Sequence, residues 1–206
     1  MKKDNFYYSL HYPHSISMSL RDWTDNYIQV VSIDPAINNY AIRIEKRRHD
    51  GVIETIVFTK TKFTELESDG THIINDLYYK ITKFLDKYKD LFLKSHYFII
   101  ERQLPLNYKA VRVSQHTISY FSLLIQDQPL LSSIIEINPK VKSILLEAPP
   151  KLTSKQLKVW SVEKATNILR DRGDDYALQL LSKEKKKDDL CDTVLQIEGF
   201  FKCLSI

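Results

Sequence analysis

Three carboxylates follow three lysines in Lys185-Lys186-Lys187-Asp188-Asp189-Leu190-Cys191-Asp192, at the entry to a helical run over 193–201. On a helix, Asp189 and Asp192 are three apart and share a face. Leu190, Val194, Ile197 and Phe201 form an apolar stripe on another face, so the acids are expected to turn away from the buried side. Lysines at a helix start oppose the macrodipole, so helix stability does not explain them. Carboxylates that collect a divalent cation, beside lysines that attract phosphate, are the ingredients of metal-dependent chemistry on nucleic acid.

Two more acids close predicted strands. Asp34 ends YIQVVSID (27–34) and Glu101 ends YFIIE (97–101). In open α/β sheets, ligands bind beyond the carboxyl ends of parallel strands. If these two strands are neighbours, Asp34 and Glu101 lie side by side, and a last helix crossing that edge adds Asp189 and Asp192. Carboxylates that close raise each other's pKa unless a cation joins them. Two Mg²⁺ ions about 3.5–4 Å apart are the usual solution, with Mn²⁺ able to substitute. Each acid also has a plainer role. Asp34, before Pro35, suits a turn. Glu101 and Arg102 could form a surface ion pair. Asp188 and Asp189 could cap the helix. Capping does not account for Asp192, a turn further in, where Asp is a poor helix former.

Several elements must position these groups. Residues 1–25 show no period and read as an irregular extension. Tyr27–Asp34 reads as a buried strand. Residues 40–46 and 51–59 alternate as strands around Asp50-Gly51, a hairpin signal. A helix after Gly70 has its core face at Ile73, Ile74, Leu77, Ile81, Phe84, Leu85 and Tyr88. Pro105 opens a helix running to about Gln126, and Ser133–Ile137 is a strand stopped by Pro139. Pro149-Pro150 precedes a helix over 154–170. A short helix over 176–181 and the last helix over 187–204 complete the chain. Leaving out the short helix, the order β-β-β-α-β-α-β-α-α implies a mixed sheet with helices on both faces, and it is the element order of the ribonuclease-H-like fold.

The 206 residues suit one compact domain, here 27–206, behind an N-terminal extension over 1–26. Hydrophobic residues make up 43% and charged residues 27%, and no apolar run is long enough to span a membrane. No secretory signal is visible, and Asp4, Asp22 and Asp25 argue against a transit peptide. Cys191 and Cys203 are twelve apart on one predicted helix, too far to bridge within it. That suits a reducing compartment and excludes a Cys-rich zinc site. His11, His14, His49, His72, His96 and His116 have no paired metal spacing and read as structural. Four glycines leave little room for a Walker-type phosphate loop. The net charge is +4, but residues 151–187 carry ten Lys/Arg against five Asp/Glu, including Lys155, Lys158 and the lysine run. So concentrated a basic segment suits a phosphate backbone, although a solvated helical face would look the same.

The segments SIDPAINN (32–39), IERQ (100–103) and KKDDLCD (186–192) resemble motifs of the RuvC-type Holliday junction resolvases, particularly their poxviral and fungal mitochondrial branches. Those enzymes carry a strand-end Asp in an IDxG context, ERQ after the fourth strand, and K-x-DD-x-x-D or KKDDLAD at the last helix. Ser161-Val162-Glu163 resembles the start of the preceding helix in the poxviral proteins. The resemblance spans 28–200 in element order, with fewer than twenty residues in specific motifs.

The resemblance implies an α/β, ribonuclease-H-like fold with a mixed five-stranded sheet and helices on both faces. It implies a Mg²⁺-dependent endonuclease, with two ions per site, that resolves four-way DNA junctions in recombination and repair. Asp34, Glu101, Asp189 and Asp192 take the metal-ligand positions, with Asp188 beside them. Lys186 and Lys187 fall near the scissile phosphate, and Lys187 joins the catalytic set. Lys185, Arg102, Lys109, Arg112, Lys155 and Lys158 are candidate DNA contacts. A homodimer follows from the two symmetric nicks such a junction needs. The helix after Pro105, with Val111, Val113, Ile118, Tyr120, Phe121, Leu124 and Ile125, carries apolar surface for an interface or for the core. Ala36 replaces the usual Gly, so the first turn is expected to be less tight, and Cys191 replaces Ala. Two other readings stay open: a nuclease on this fold acting on RNA/DNA hybrids or flaps, and a non-catalytic nucleic-acid-binding module. Lysine- and isoleucine-rich usage with few glycines points to an AT-rich genome, and the short chain without a clear transit peptide favours a large DNA virus acting in host cytoplasm or a viral factory, with a mitochondrial site as the alternative.

Overall fold

The computed structural model describes residues 7–9, 26–63, 73–127 and 132–204. Its centre is a six-stranded mixed sheet of β1 (Tyr7–Ser9), β2 (Tyr27–Asp34), β3 (Tyr40–Arg48), β4 (Ile53–Thr61), β5 (Tyr97–Glu101) and β6 (Ser133–Ile137), in the order β1-β6-β5-β2-β3-β4. β5 runs parallel to both β2 and β6. β3 is antiparallel to β2 and β4. The five expected strands are all present. The extension was expected to be irregular throughout, and this is corrected: β1 lies within it and adds a sixth strand antiparallel to β6. The rest of the extension, with His11, His14 and the acids at 4, 22 and 25, lies outside the described residues, as do Gly70 and His72.

Period-two alternation divides the strands between two cores. Val31, Ile33, Phe98 and Ile100 face α1 (Ile73–Asp86), α2 (Lys89–Phe92) and α3 (Tyr108–Ile125), packing with Ile81, Leu85, Phe92, Val113 and Phe121. Phe98 and Phe121 stack at 4.4 Å between centroids. Ile28, Val30 and Ile99 point the other way, onto α4 (Val141–Leu145) and α7 (Asp188–Leu204). A third cluster joins α5 (Ser154–Asp171), α6 (Asp175–Lys183) and the first half of α7 to Ala41 and Phe58.

Several expectations meet this architecture directly. The hairpin turn holds, with Gly51 at φ 85° and Arg48 donating to the Val52 carbonyl at 2.8 Å. On α3, Val113, Phe121 and Ile125 are buried and Ile118, Tyr120 and Leu124 pack against the same core, while Tyr108 and Leu123 stay exposed. Ser161 falls in the middle of α5, whose start is instead fixed by the Thr153–Gln156 capping box. Arg43 and Glu45 alternate with Ile42 and Ile44 as a half-exposed strand would, yet both are fully buried. They form an ion-pair network with Arg47, Arg172, Asp174 and Glu198 beneath α5–α7.

The last helix also differs from the amphipathic expectation. α7 is covered on nearly every side, with Leu190, Cys191, Thr193, Val194, Leu195, Gln196, Ile197, Phe200 and Phe201 buried. It is a central helix of the second layer. Gly199 explains how α4 comes so close: a Cβ there would stand 3.0 Å from Val141 Cγ1 and 3.5 Å from the Lys142 backbone. α4 was not expected from the sequence, which Pro139 and Pro149-Pro150 bracket as a loop.

Candidate active site

Ile33 pairs with Ile100 in the parallel β2–β5 ladder, so the next residues, Asp34 and Glu101, end adjacent strands side by side. Alternation sets their face. Asp34 follows Val30 and Ser32, and Glu101 follows Ile99, so both carboxylates belong to the face that α7 covers. Asp189, Asp192 and Gln196 form one helical stripe opposite them. The four acids from three elements therefore meet.

Their electrostatics confirm the crowding. The Asp34 carboxyl is held well above its ordinary range, first by burial and then by the charges of Glu101, Asp192 and Asp189. Asp192 is also raised, again by burial first and by Glu101, against the opposing pull of Lys142.

Lys142 is the residue that sequence reasoning missed. It lies on α4, is 8% exposed, and places Nζ 2.9 Å from Glu101 Oε2 and 2.7 Å from Asp192 Oδ2. Burial opposes its charge, but Glu101, Asp192 and Asp34 outweigh burial and hold the ammonium protonated. Nothing local announced it: a lysine three residues after Pro139, in an unassigned stretch, reads as solvated. Glu101 therefore has a buried partner in Lys142, which the sequence did not suggest.

The lysine run is tied down more than a solvated run would be. Lys186 Nζ is 2.7 Å from both Asp189 oxygens and 3.7 Å from Asp188. Lys158 reaches Asp188 at 2.8 Å. Asp188 is lowered, since the Lys158 hydrogen bond and the Lys186 charge outweigh burial. Lys60 on β4 donates to the Lys186 carbonyl and pairs with Glu184 at 2.9 Å, pinning the turn before α7. Lys187 is half-buried at the helix start, and its charge bears on the Cys191 thiol. That thiol is pushed up to about 12, by burial first and then by Asp192. Both cysteines are free and buried.

The remaining candidates are spread more widely. Lys155 is exposed on the first turn of α5, Lys185 is exposed just after α6, and Lys109 and Arg112 are exposed on the first turns of α3. Arg102 is half-buried, donates its backbone N–H to Ile137, and acts on the Glu136 carboxyl. The asparagine-rich turn after Asp34 does not need glycine: Ala36 is not among the described residues with positive φ. His96 is buried and accepts from the Gln29 N–H, and His116 stacks on Tyr78, in keeping with structural roles.

Among the described residues, no three His, Cys, Asp or Glu side chains surround a common point as they stand. The donor set nevertheless fits a hard divalent cation. It is all oxygen, Asp192 Oδ1 is buried with no hydrogen-bond partner, and an ammonium already bridges Glu101 and Asp192. Among the described residues, two ammonium groups, Lys142 and Lys186, contact these carboxylates. No helix among the described residues is long and apolar enough to cross a membrane.

Known proteins share both sequence and fold with the chain. It is 32% identical over 127 residues to the uncharacterised protein 97L of Invertebrate iridescent virus 3, covering 62% of this chain and 58% of that protein. It is 26% identical over 134 residues to protein 170L of Invertebrate iridescent virus 6, covering 57% and 54%. The matched region thus spans little more than half the length of these curated relatives. No protein-family model matches. Among solved structures, the yeast mitochondrial Holliday junction resolvase Ydc2 superposes with a TM-score of 0.60 at 16% identity, over 86% of this chain and 81% of that one. Thermus thermophilus RuvC superposes at 0.51 and 11% identity, over 85% and 96%. The chain has the ribonuclease-H-like fold of these resolvases, in line with the resemblance carried by its three motifs.

Proposed function

We propose that this protein is a divalent-metal-dependent endonuclease that resolves four-way DNA junctions by paired phosphodiester hydrolysis. The observation that carries the reading is the convergence of Asp34, Glu101, Asp189 and Asp192 from β2, β5 and α7 beside Lys142 and Lys186. It stands on a fold shared with proteins described as Holliday junction resolvases.

In this reading the four carboxylates hold Mg²⁺, two ions per site, or Mn²⁺ in its place. When bound, the metal supplies an activated water and charge neutralisation at the leaving 3′-oxygen. The protein's own groups do the rest. Lys142 bridges Glu101 and Asp192 and holds the two carboxylates in place, its charge opposing the upward push of burial on Asp192. Lys186, half exposed, exchanges Asp189 for a DNA phosphate as substrate arrives, and Lys187 stands beside the scissile phosphate as part of the catalytic set. Lys185, Lys155 and Lys158 extend the positive surface along the neighbouring helices, while Arg102, Lys109 and Arg112 engage the backbone beyond Glu101. Two symmetric nicks require two sites, hence a homodimer. The relatives in iridescent viruses favour action on viral DNA within an infected cell over a mitochondrial role.

The test is incubation with a synthetic immobile four-way junction, alongside an RNA/DNA hybrid and a flap, in Mg²⁺, Ca²⁺ or EDTA. Paired symmetric nicks in Mg²⁺ are expected, with binding but little cutting in Ca²⁺, whose looser coordination misplaces the water. Robust cutting in EDTA would refute the metal mechanism. Preference for the hybrid or flap would transfer the assignment to another nuclease of this fold. Junction binding with no response to metal would mark a non-catalytic module.

A further inference from the structure

The carboxylate of Glu101, a candidate metal ligand, is gripped by a neutral side chain. Gln196 Nε2 donates to Glu101 Oε2 at 3.1 Å, and Ser32 Oγ donates to Gln196 Oε1 at 2.8 Å. Lys142 donates to the same Oε2 at 2.9 Å. Both of these side-chain bonds fall on Oε2. Ser32 and Gln196 are both buried, 0% and 2% exposed.

The direction of this relay does not depend on how the amide atoms are assigned. An ionised carboxylate only accepts, so the NH₂ end of Gln196 must face Glu101. Its carbonyl end then needs a donor, which the Ser32 hydroxyl supplies. Ser32 lies two residues before Asp34 on the same face of β2. Gln196 lies one helical turn beyond Asp192 on the same stripe of α7. The chain Ser32–Gln196–Glu101 therefore ties together all three acid-bearing elements from inside the protein. A buried glutamine gives up the hydration of its amide, a cost an apolar residue of the same size would not carry. What glutamine adds is a fixed orientation for Glu101.

We propose that Gln196, oriented by Ser32, is a positioning residue. It clamps Oε2 of Glu101 and so fixes the orientation in which this carboxylate meets a divalent cation. The inference rests on the nuclease reading above and assigns these two residues a part in its metal site.

The test uses the full chain with Gln196→Met, close in size but unable to donate, and with Ser32→Ala. Four quantities are measured: Mn²⁺ affinity by calorimetry without DNA, the Mn²⁺ concentration for half-maximal single-turnover cutting, junction affinity in Ca²⁺, and melting temperature. Removing such an outer partner of a metal ligand typically costs roughly 10–100-fold in metal affinity or activity. Gln196→Met should therefore weaken Mn²⁺ binding by about tenfold or more and move the cutting curve by the same factor, with junction affinity unchanged. Ser32→Ala should shift both in the same direction by less. Lower melting temperatures with unchanged Mn²⁺ affinity would mean the relay is only a satisfied buried pair, and would overturn the proposal. If Gln196→Met fails to fold, Ser32→Ala, which removes a single hydroxyl, decides alone. Wild type that binds Mn²⁺ and cuts, with variants that behave like it, removes only the relay. Wild type that does neither removes the nuclease reading and the relay with it.

Discussion

Replacing Lys142 with methionine removes the one buried cation that separates Glu101 from Asp192 while keeping most of the side chain's volume. In the metal-free protein both carboxylates then lose a contact under 3 Å. Breaking a buried ion pair by removing one partner costs roughly 3–5 kcal/mol. For a chain of this size, about 2–4 °C per kcal/mol translates this into a melting temperature lower by roughly 6–20 °C. The sign of the pH dependence follows from the neighbours. Asp34 and Asp192 are raised above their ordinary values, and Lys142 is the charge that pulls both down, so its loss raises them further. An acid whose folded-state pKa is raised contributes stability that is fully present below its unfolded pKa and is lost as pH rises through the folded value. The deficit of Lys142→Met should therefore be small near pH 4–5 and largest at pH 8. A divalent cation should offset it, by about 2.7 kcal/mol at a hundredfold excess over Kd. The assay is thermal denaturation of both proteins at several pH values, with EDTA and with Mn²⁺. A variant that melts within about 2 °C of wild type at pH 8 in EDTA, less than 1 kcal/mol by the same scale, would refute the reasoning. So would a deficit equal at pH 5 and pH 8.

Asp34→Asn and Asp189→Asn should each abolish cutting while preserving junction affinity, because each removes a ligand and no phosphate contact. Cutting within about tenfold of wild type, roughly 1.4 kcal/mol of barrier, would remove that residue from the ligand set. Lys186→Ala combined with Lys187→Ala should behave oppositely, weakening junction binding and flattening its salt dependence by up to about one counterion-release unit per lost phosphate contact. An unchanged salt slope and cutting rate would return the run to an ordinary charged surface. Glu45 is lowered to about 2 because the charges of Arg47 and Arg43 outweigh burial. A depressed acid contributes stability above its unfolded pKa, here roughly 3 kcal/mol, and loses it as pH falls through the folded value. Acid unfolding of wild type should therefore steepen between the ordinary value of 4.5 and about 2, and Glu45→Gln should start less stable and lack that segment.

The candidate ligands were legible because their signals are local. A strand-end acid, a second strand-end acid and an i, i+3 pair at a helix start are patterns of sequence spacing, and parallel pairing of β2 with β5 was the only further step needed to bring them together. Strand and helix order were legible for the same reason, since periods of two and 3.6 survive in the linear chain. The sequence did not reveal what lies between the acids. α4 is a single short helix between prolines, with no period of its own. It exists because Val141 and Leu146 find places in the helical layer and because Gly199 on α7 lets it approach. Only that packing brings Lys142 between Glu101 and Asp192, two residues 91 positions apart in the chain. The burial of Arg43 and Glu45 was hidden likewise, because a strand covered by helices on one face and packed on the other has the same alternation as one facing water. The chain's own letters determined which oxygens the site offers. Tertiary packing decided which cation already stands among them, because a buried charge is chosen by partners distant in sequence.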